Sequence, residues 1–215
     1  MTLVNRKLIK LNNRGVRNVT TFGSVSGGSF TFIKKLTASS SATLDFVDGT
    51  SDVVLDNTYK EYLFTFNNLH PSADDPNLTF QANAAGGSGY DETMTTTAYQ
   101  AYNREDGGGQ GLGYSTGGDQ AQGTAFQSIG PIISNENDSC SAGYLRLFNP
   151  SSTTFVKHFI AATMQFDVHP TAVYPTRQDT AGYFNTTSAI DEIQFKFSSG
   201  VIESGTFKLY GIKDS

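Results

Sequence analysis

The stretch "EIQFKFSSGVIESGTFKLYGIK", residues 192–213, sets the tightest limit on what this chain can fold into. Ile193, Phe195 and Phe197 alternate with Gln194 and Lys196, and Phe207 and Leu209 flank Lys208. Successive side chains of a strand point to opposite faces, so this spacing gathers the apolar groups on one face of a sheet. On a helix it would scatter them around the cylinder. The segment is therefore expected to form two strands joined by a short loop, a closing hairpin.

Further strand candidates lie upstream, several with the same alternation. "SFTFIKKLT" (29–37), "YKEYLFTFNN" (59–68), "NLTFQAN" (77–83), "MTTTAYQAYN" (94–103), "AGYLRLFNP" (142–150) and "TAGYFNT" (180–186) all read as strands, and "TFVKHFIAATMQFDVHP" (154–170) as one long strand or two. "ATLDFV" (42–47) and "SDVVLD" (51–56) flank Asp48-Gly49, a dipeptide that favours tight hairpin turns, and so predict a second hairpin. Only "NTYKEYLF" admits a helical turn. The 16 Phe and 10 Tyr suit a half-buried pleated surface, and the 22 Gly suit the turns between strands. The expectation is an all-β fold, an antiparallel β-sandwich, jelly-roll-like, with an extended N-terminal arm: residues 1–28 as a basic arm ending in the flexible "GSVSGG" joint, and 29–215 as the sandwich.

Charge is divided unevenly along the chain. The net charge is -5, yet residues 1–35 hold Arg6, Lys7, Lys10, Arg14, Arg17, Lys34 and Lys35 and no acidic group before Asp45. A basic arm on an acidic body suits docking on a negative surface. Nucleic acid is not the expected partner, because single-strand binding gains from stacking aromatics and the arm offers only Phe22. No apolar run approaches the roughly 18 residues of a spanning helix, so no membrane is expected, and the N-terminus has no continuous apolar stretch of signal-peptide type. Cys140 is the single cysteine, so no intrachain disulfide can form.

The chemistry-bearing motifs favour no catalyst. "GQGLG" (109–113) has the glycines of a phosphate cradle but no Lys-Ser/Thr and no following helix. It lies in "REDGGGQGLGYSTGGDQAQGTAF" (104–126), whose eight glycines suit a surface loop or a backbone packing closely on a neighbouring chain. His70, His158 and His169 lack metal-ligand spacing, and two of them precede proline at expected strand ends. Asp45, Asp48, Asp52 and Asp56 lack the EF-hand pattern and read as solvated turn carboxylates. No nucleophile elbow or paired-carboxylate motif is present. Neither enzymatic activity, nor a cofactor, nor a metal is expected.

The ending "IDEIQFKFSSGVIESGTFKLYGIKDS", with the Ser/Thr/Gly/Asn-rich, Trp-free composition, resembles small structural proteins of tailed bacteriophages, especially short-tailed phages of marine bacteria. The specific likeness covers about 25 residues, in which an "IxFxFxSGxIxSGxFxLYGIK"-like ending closes a β-sandwich. It implies a virion component, without enzymatic residues: a capsid decoration (cement) protein, a head fibre, or a tail appendage. The compact size and basic arm favour decoration. In that reading Arg6, Lys7, Lys10, Arg14 and Arg17 pair with acidic groups of a major capsid protein, and Leu3, Ile9 and Leu11 fill shallow grooves. A homo-oligomer, such as a trimer, is also expected. The competing expectation is a lectin-like appendage that binds host glycans, with Tyr90, Tyr99, Tyr102 and Tyr114 as contacts.

Overall fold

The computed structural model describes residues 29–169 and 172–214, and these build two antiparallel sheets with no helix among them. Twelve strands form, in chain order: β1 (Phe30–Ser41), β2 (Leu44–Val47), β3 (Glu61–Pro71), β4 (Leu78–Ala84), β5 (Met94–Asn103), β6 (Gln110–Tyr114), β7 (Gln127–Gly130), β8 (Ser141–Phe148), β9 (Lys157–His169), β10 (Ala172–Phe184), β11 (Ile190–Phe197) and β12 (Ile202–Ile212). The larger sheet has the order β1-β12-β3-β8-β9-β10-β5-β6, and the smaller β2-β11-β4-β7. The expected antiparallel sandwich is what the chain makes. The arm residues Leu3, Arg6, Lys7, Ile9, Lys10, Leu11, Arg14 and Arg17, and the joint at 23–28, lie outside the described residues.

The alternating phenylalanines of the sequence meet between the layers. Phe195 of β11 sits at their centre, its ring 4.7 Å from Phe207 of β12 and 5.7 Å from Phe64 of β3. Phe80, Phe46 and Phe66 surround the same ring at 6.2, 6.3 and 6.5 Å. Tilted and edge-on contacts at these separations add to the area buried by each ring. A second aromatic group, Phe80, Phe159 and Phe184, ties β4 to β9 and β10.

Burial in β4 is not alternating: all seven of its residues are buried. Its core side faces Phe159, and its other side is covered by the loops around 92 and 124. There the Gln81 amide donates to the carbonyls of Glu92 (3.1 Å), Thr124 (3.0 Å) and Ala125 (3.2 Å). A buried amide that found no partner would cost its full desolvation, so these bonds fix where the loops lie.

Several sequence expectations need correction. The closing segment is no hairpin. β11 pairs with β2 and β4 in the smaller sheet, whereas β12 lies between β1 and β3 in the larger, and the Ser198–Val201 link carries the chain from one layer to the other. Residues 51–56 form no strand. Ser51 and Asp52 adopt positive φ (51° and 68°), and the Asp48 carboxylate takes the Leu55 N–H at 2.8 Å, so the segment wraps into a turn while Val53 and Leu55 still reach the core. The segment "NTYKEYLF" takes no helical turn and runs into β3. The Gly-rich segment includes a strand, β6, where the Tyr102 ring lies across Gly111; a Cβ there would come within 2.6 Å of it. β7 is a further strand that its short "QSIG" pattern does not announce.

Candidate functional site

Residues directly opposite in an antiparallel ladder share a face, so the outer surface of the larger sheet can be built row by row. One row crosses all eight strands: Lys35, Lys208, Thr65, Tyr144, Ala162, Asp179, Tyr99, Tyr114. A neighbouring row runs Ala142, Met164, Arg177, Ala101, Leu112. On the other side lies Leu63, Arg146, Ile160, Ala181, Thr97.

This face is unusual in what its central strands present to water. A sheet with one solvated side normally alternates apolar inward and polar outward. Here Ile160 and Met164 on β9 are 45% and 48% exposed, and Tyr99 on β5 is 49% exposed. Alanines at 142, 162 and 181 lie among them, leaving shallow depressions. One of about 320 Å³ is lined by Tyr144, Ala162, Met164 and Arg177; another of about 400 Å³ by Phe148, His158, Ile160 and Ala181.

On the central strands the charges of the face are paired, whereas Lys35 and Lys208 at the β1–β12 end make no ion pair among the described residues. Arg177 forms a two-pronged pair with Asp179, Nε to Oδ2 at 2.6 Å and the terminal nitrogen to Oδ1 at 2.8 Å. The hydrogen bonds to Asp179 and its charge hold the guanidinium above its ordinary range. Arg146 pairs with Glu61 at 2.9 Å. The part of the face on β8, β9, β10, β5 and β6 offers apolar area and aromatic edges, with its arginines paired.

The four tyrosines expected to contact glycan do not converge. Tyr99 and Tyr114 are cross-strand partners on the outer face, and the Tyr114 hydroxyl donates to Asp119 at 2.7 Å. Tyr102 projects from the opposite face and meets Tyr174 at 5.7 Å. Tyr90 lies near Phe126, with rings 6.5 Å apart. Strand parity carries this separation: Tyr99 and Tyr102 are an odd number of residues apart on β5 and must point to opposite sides. Tyr144, Met164 and Arg177 escape motif reading because they make a site only once β8, β9 and β10 are side by side.

The histidines and acidic turns act locally. His70 Nδ1 lies 2.8 Å from the Ser139 carbonyl, and the His158 ring packs 6.0 Å from Tyr183. Among the described residues no three His, Cys, Asp or Glu gather in a way that could hold a metal. Asp56 bonds to Thr58, which holds its carboxyl below the usual range.

Asp191 is different. Burial pushes its carboxyl up, and the charges of Glu192 and Asp48 push the same way, while its Oδ1 has no partner. The folded chain therefore holds the proton more tightly than the unfolded one. Ionisation costs stability progressively as pH rises through the unfolded and then the folded value, and the full cost is present at neutral pH. Asp191→Asn is expected to raise Tm at pH 7 and to leave it unchanged near pH 3. A thermal scan at both values checks this; a lower Tm for the variant at pH 7 would contradict the account.

The chain matches no protein-family model, no curated protein and no solved structure.

Proposed function

We propose that the chain is a structural component of a virion, a capsid decoration protein that docks through its basic leader and seats the outer face of its larger sheet on the shell. The observation that carries this reading is that face. Scattered apolar residues are ordinary on a protein surface, but one face that exposes Tyr144 on β8, Ile160 and Met164 on β9, Tyr99 on β5 and Leu112 and Tyr114 on β6, around the Arg177–Asp179 pair of β10, is the kind of surface that a partner covers. Support also comes from the charge division. Arg6, Lys7, Lys10, Arg14 and Arg17 all precede residue 29, leaving 10 basic residues against 20 acidic ones in the rest of the chain. The leader would then supply long-range attraction and orientation, and the sheet face the apolar contact, so that two weak attachments act as one strong one. The resemblance of the C-terminal stretch to phage structural proteins points the same way. In this reading neighbouring copies also touch one another on the shell, and the body does no chemistry.

The test counts copies on purified particles. Arg6→Glu combined with Lys7→Glu and Lys10→Glu is expected to lower occupancy about tenfold, the equivalent of about 1.4 kcal/mol. Ile160→Glu with Met164→Glu is expected to lower it similarly, but without the salt dependence of the leader's contribution. Unchanged occupancy in the first variant removes the role given to the leader. If both variants decorate as well as the parent chain, neither surface docks it; if the parent chain itself is absent from purified particles, the decoration reading is wrong.

A further inference from the structure

The second half of the Gly-rich stretch folds back over the smaller sheet. Thr96 and Gln120 exchange hydrogen bonds, Gln120 N to Thr96 Oγ1 at 2.8 Å and Thr96 N to the Gln120 carbonyl at 2.9 Å, which pins residues 117–120 in place. Beneath them lies a cleft of about 500 Å³, within the range of roughly 300–1,000 Å³ typical of small-ligand sites.

Its floor is one cross-strand row on the side of the smaller sheet turned away from the core: Lys196 on β11, Thr79 on β4 and Ser128 on β7. Asp119 stands on the opposite wall, held by the Tyr114 hydroxyl. Asn77 and Ser198 close one end, joined by the Asn77 N–H to Ser198 Oγ bond of 2.9 Å. The Ser128 hydroxyl has no partner.

We propose that this cleft binds a neutral carbohydrate unit. Its chemistry narrows the ligand class by elimination. Lys196 and Asp119 contribute one charge of each sign, so an isolated anion meets a carboxylate and an isolated cation meets an ammonium. A planar base would need an open aromatic face, but the Lys196 ammonium already sits 3.7 Å from the centre of the Phe126 ring. An apolar ligand would strand the hydroxyls and amides of the walls without partners. A ligand that donates and accepts in many directions at once, as the hydroxyls of a pyranose do, meets both the two charges and the neutral groups of the walls. Asp119 can accept from two neighbouring hydroxyls, Lys196 can donate to ring or exocyclic oxygens, and Asn77 and Ser198 can each do either.

This site is separate from the outer face of the larger sheet, and it does not depend on particle attachment. It differs also from the set expected from tyrosines alone: Tyr114 acts only by holding Asp119, and Tyr90 lies behind Phe126.

The experiment applies the full chain to an array of neutral, uronate-containing and sulfated oligosaccharides. The neutral oligosaccharide giving the strongest signal is then titrated while backbone amides are followed by NMR. Binding to neutral members is expected, with shifts concentrated at Asn77, at residues 117–120, and at Lys196 and Ser198. Asp119→Asn and Lys196→Met are each expected to weaken binding at least fivefold, with the near-ultraviolet circular dichroism of the tyrosines unchanged. Silence across the array, preference for sulfated members, shifts confined to the outer face of the larger sheet, or parental affinity in both variants would each overturn the proposal.

Discussion

Replacing Phe195 with alanine is expected to lower the free energy of unfolding by about 3–5 kcal/mol, a large part of the 5–15 kcal/mol that holds a typical domain together. The ring touches five other phenylalanines drawn from both layers, and it is completely buried. The surrounding rings are held on strands of both layers, so they can close the space only in part and a cavity remains. Urea titration followed by tyrosine circular dichroism reads the change as a lowered midpoint. Ile193→Val, on the same strand and equally buried, is expected to cost only about 0.5–1.5 kcal/mol. A loss below about 1 kcal/mol for Phe195→Ala would mean that the layers are not clamped at this ring.

Gly143→Val is expected to be nearly as damaging, for the opposite reason. Gly143 lies on β8 opposite Thr163 of β9, and a Cβ there would stand 2.3 Å from the Ala162 carbonyl oxygen and 2.9 Å from Thr163 Cα. These are backbone atoms in the middle of a ladder, so they cannot turn aside as a flexible side chain would. On its open side the Phe66 ring waits at 3.0 Å. Overpacking of a tight core costs about 1–3 kcal/mol, and this site falls at the upper end because the ladder itself must shift. The same titration measures it. A variant as stable as the parent would show that β8 and β9 can separate there without loss.

The sequence made some of this architecture readable and hid the rest for identifiable reasons. β5 is legible to its ends because Met94–Asn103 is rich in Thr and Tyr, which suit a pleated surface, and is bounded by polar turns. The 51–56 segment alternates, since Val53 and Leu55 are both buried, yet it is a turn. Local capture of the Leu55 N–H by Asp48 outcompetes a ladder that has only four residues of β2 to pair with. The sequence pattern reads as a strand only from residue 180, whereas β10 begins at Ala172 and its ladder runs through Pro175, a residue that cannot donate to it. The closing stretch shows the limit of pattern reading most clearly. Alternation fixes that Phe195 and Phe207 face a core, but it does not say whether the two strands are neighbours in one sheet or face each other across two. The outer-face group and the cleft were hidden for the same reason. Tyr144, Arg177, Lys196 and Asp119 carry no motif, and each acquires its role from a cross-strand neighbour distant in the chain.

The passage of the last strands from one layer to the other has a consequence for how the molecule comes into being. β1 and β3 are the first two strands of the larger sheet in chain order but do not pair; β12 fills the gap between them, just as β11 fills the gap between β2 and β4. A nascent chain emerging from the ribosome therefore holds two incomplete half-sheets with open edges until residue 212 has appeared. Completion of both layers is then a single late event, with the exposed β1 and β3 edges open to mispairing in the interval. Crowding several nascent copies together would favour exchange of these last two strands between chains.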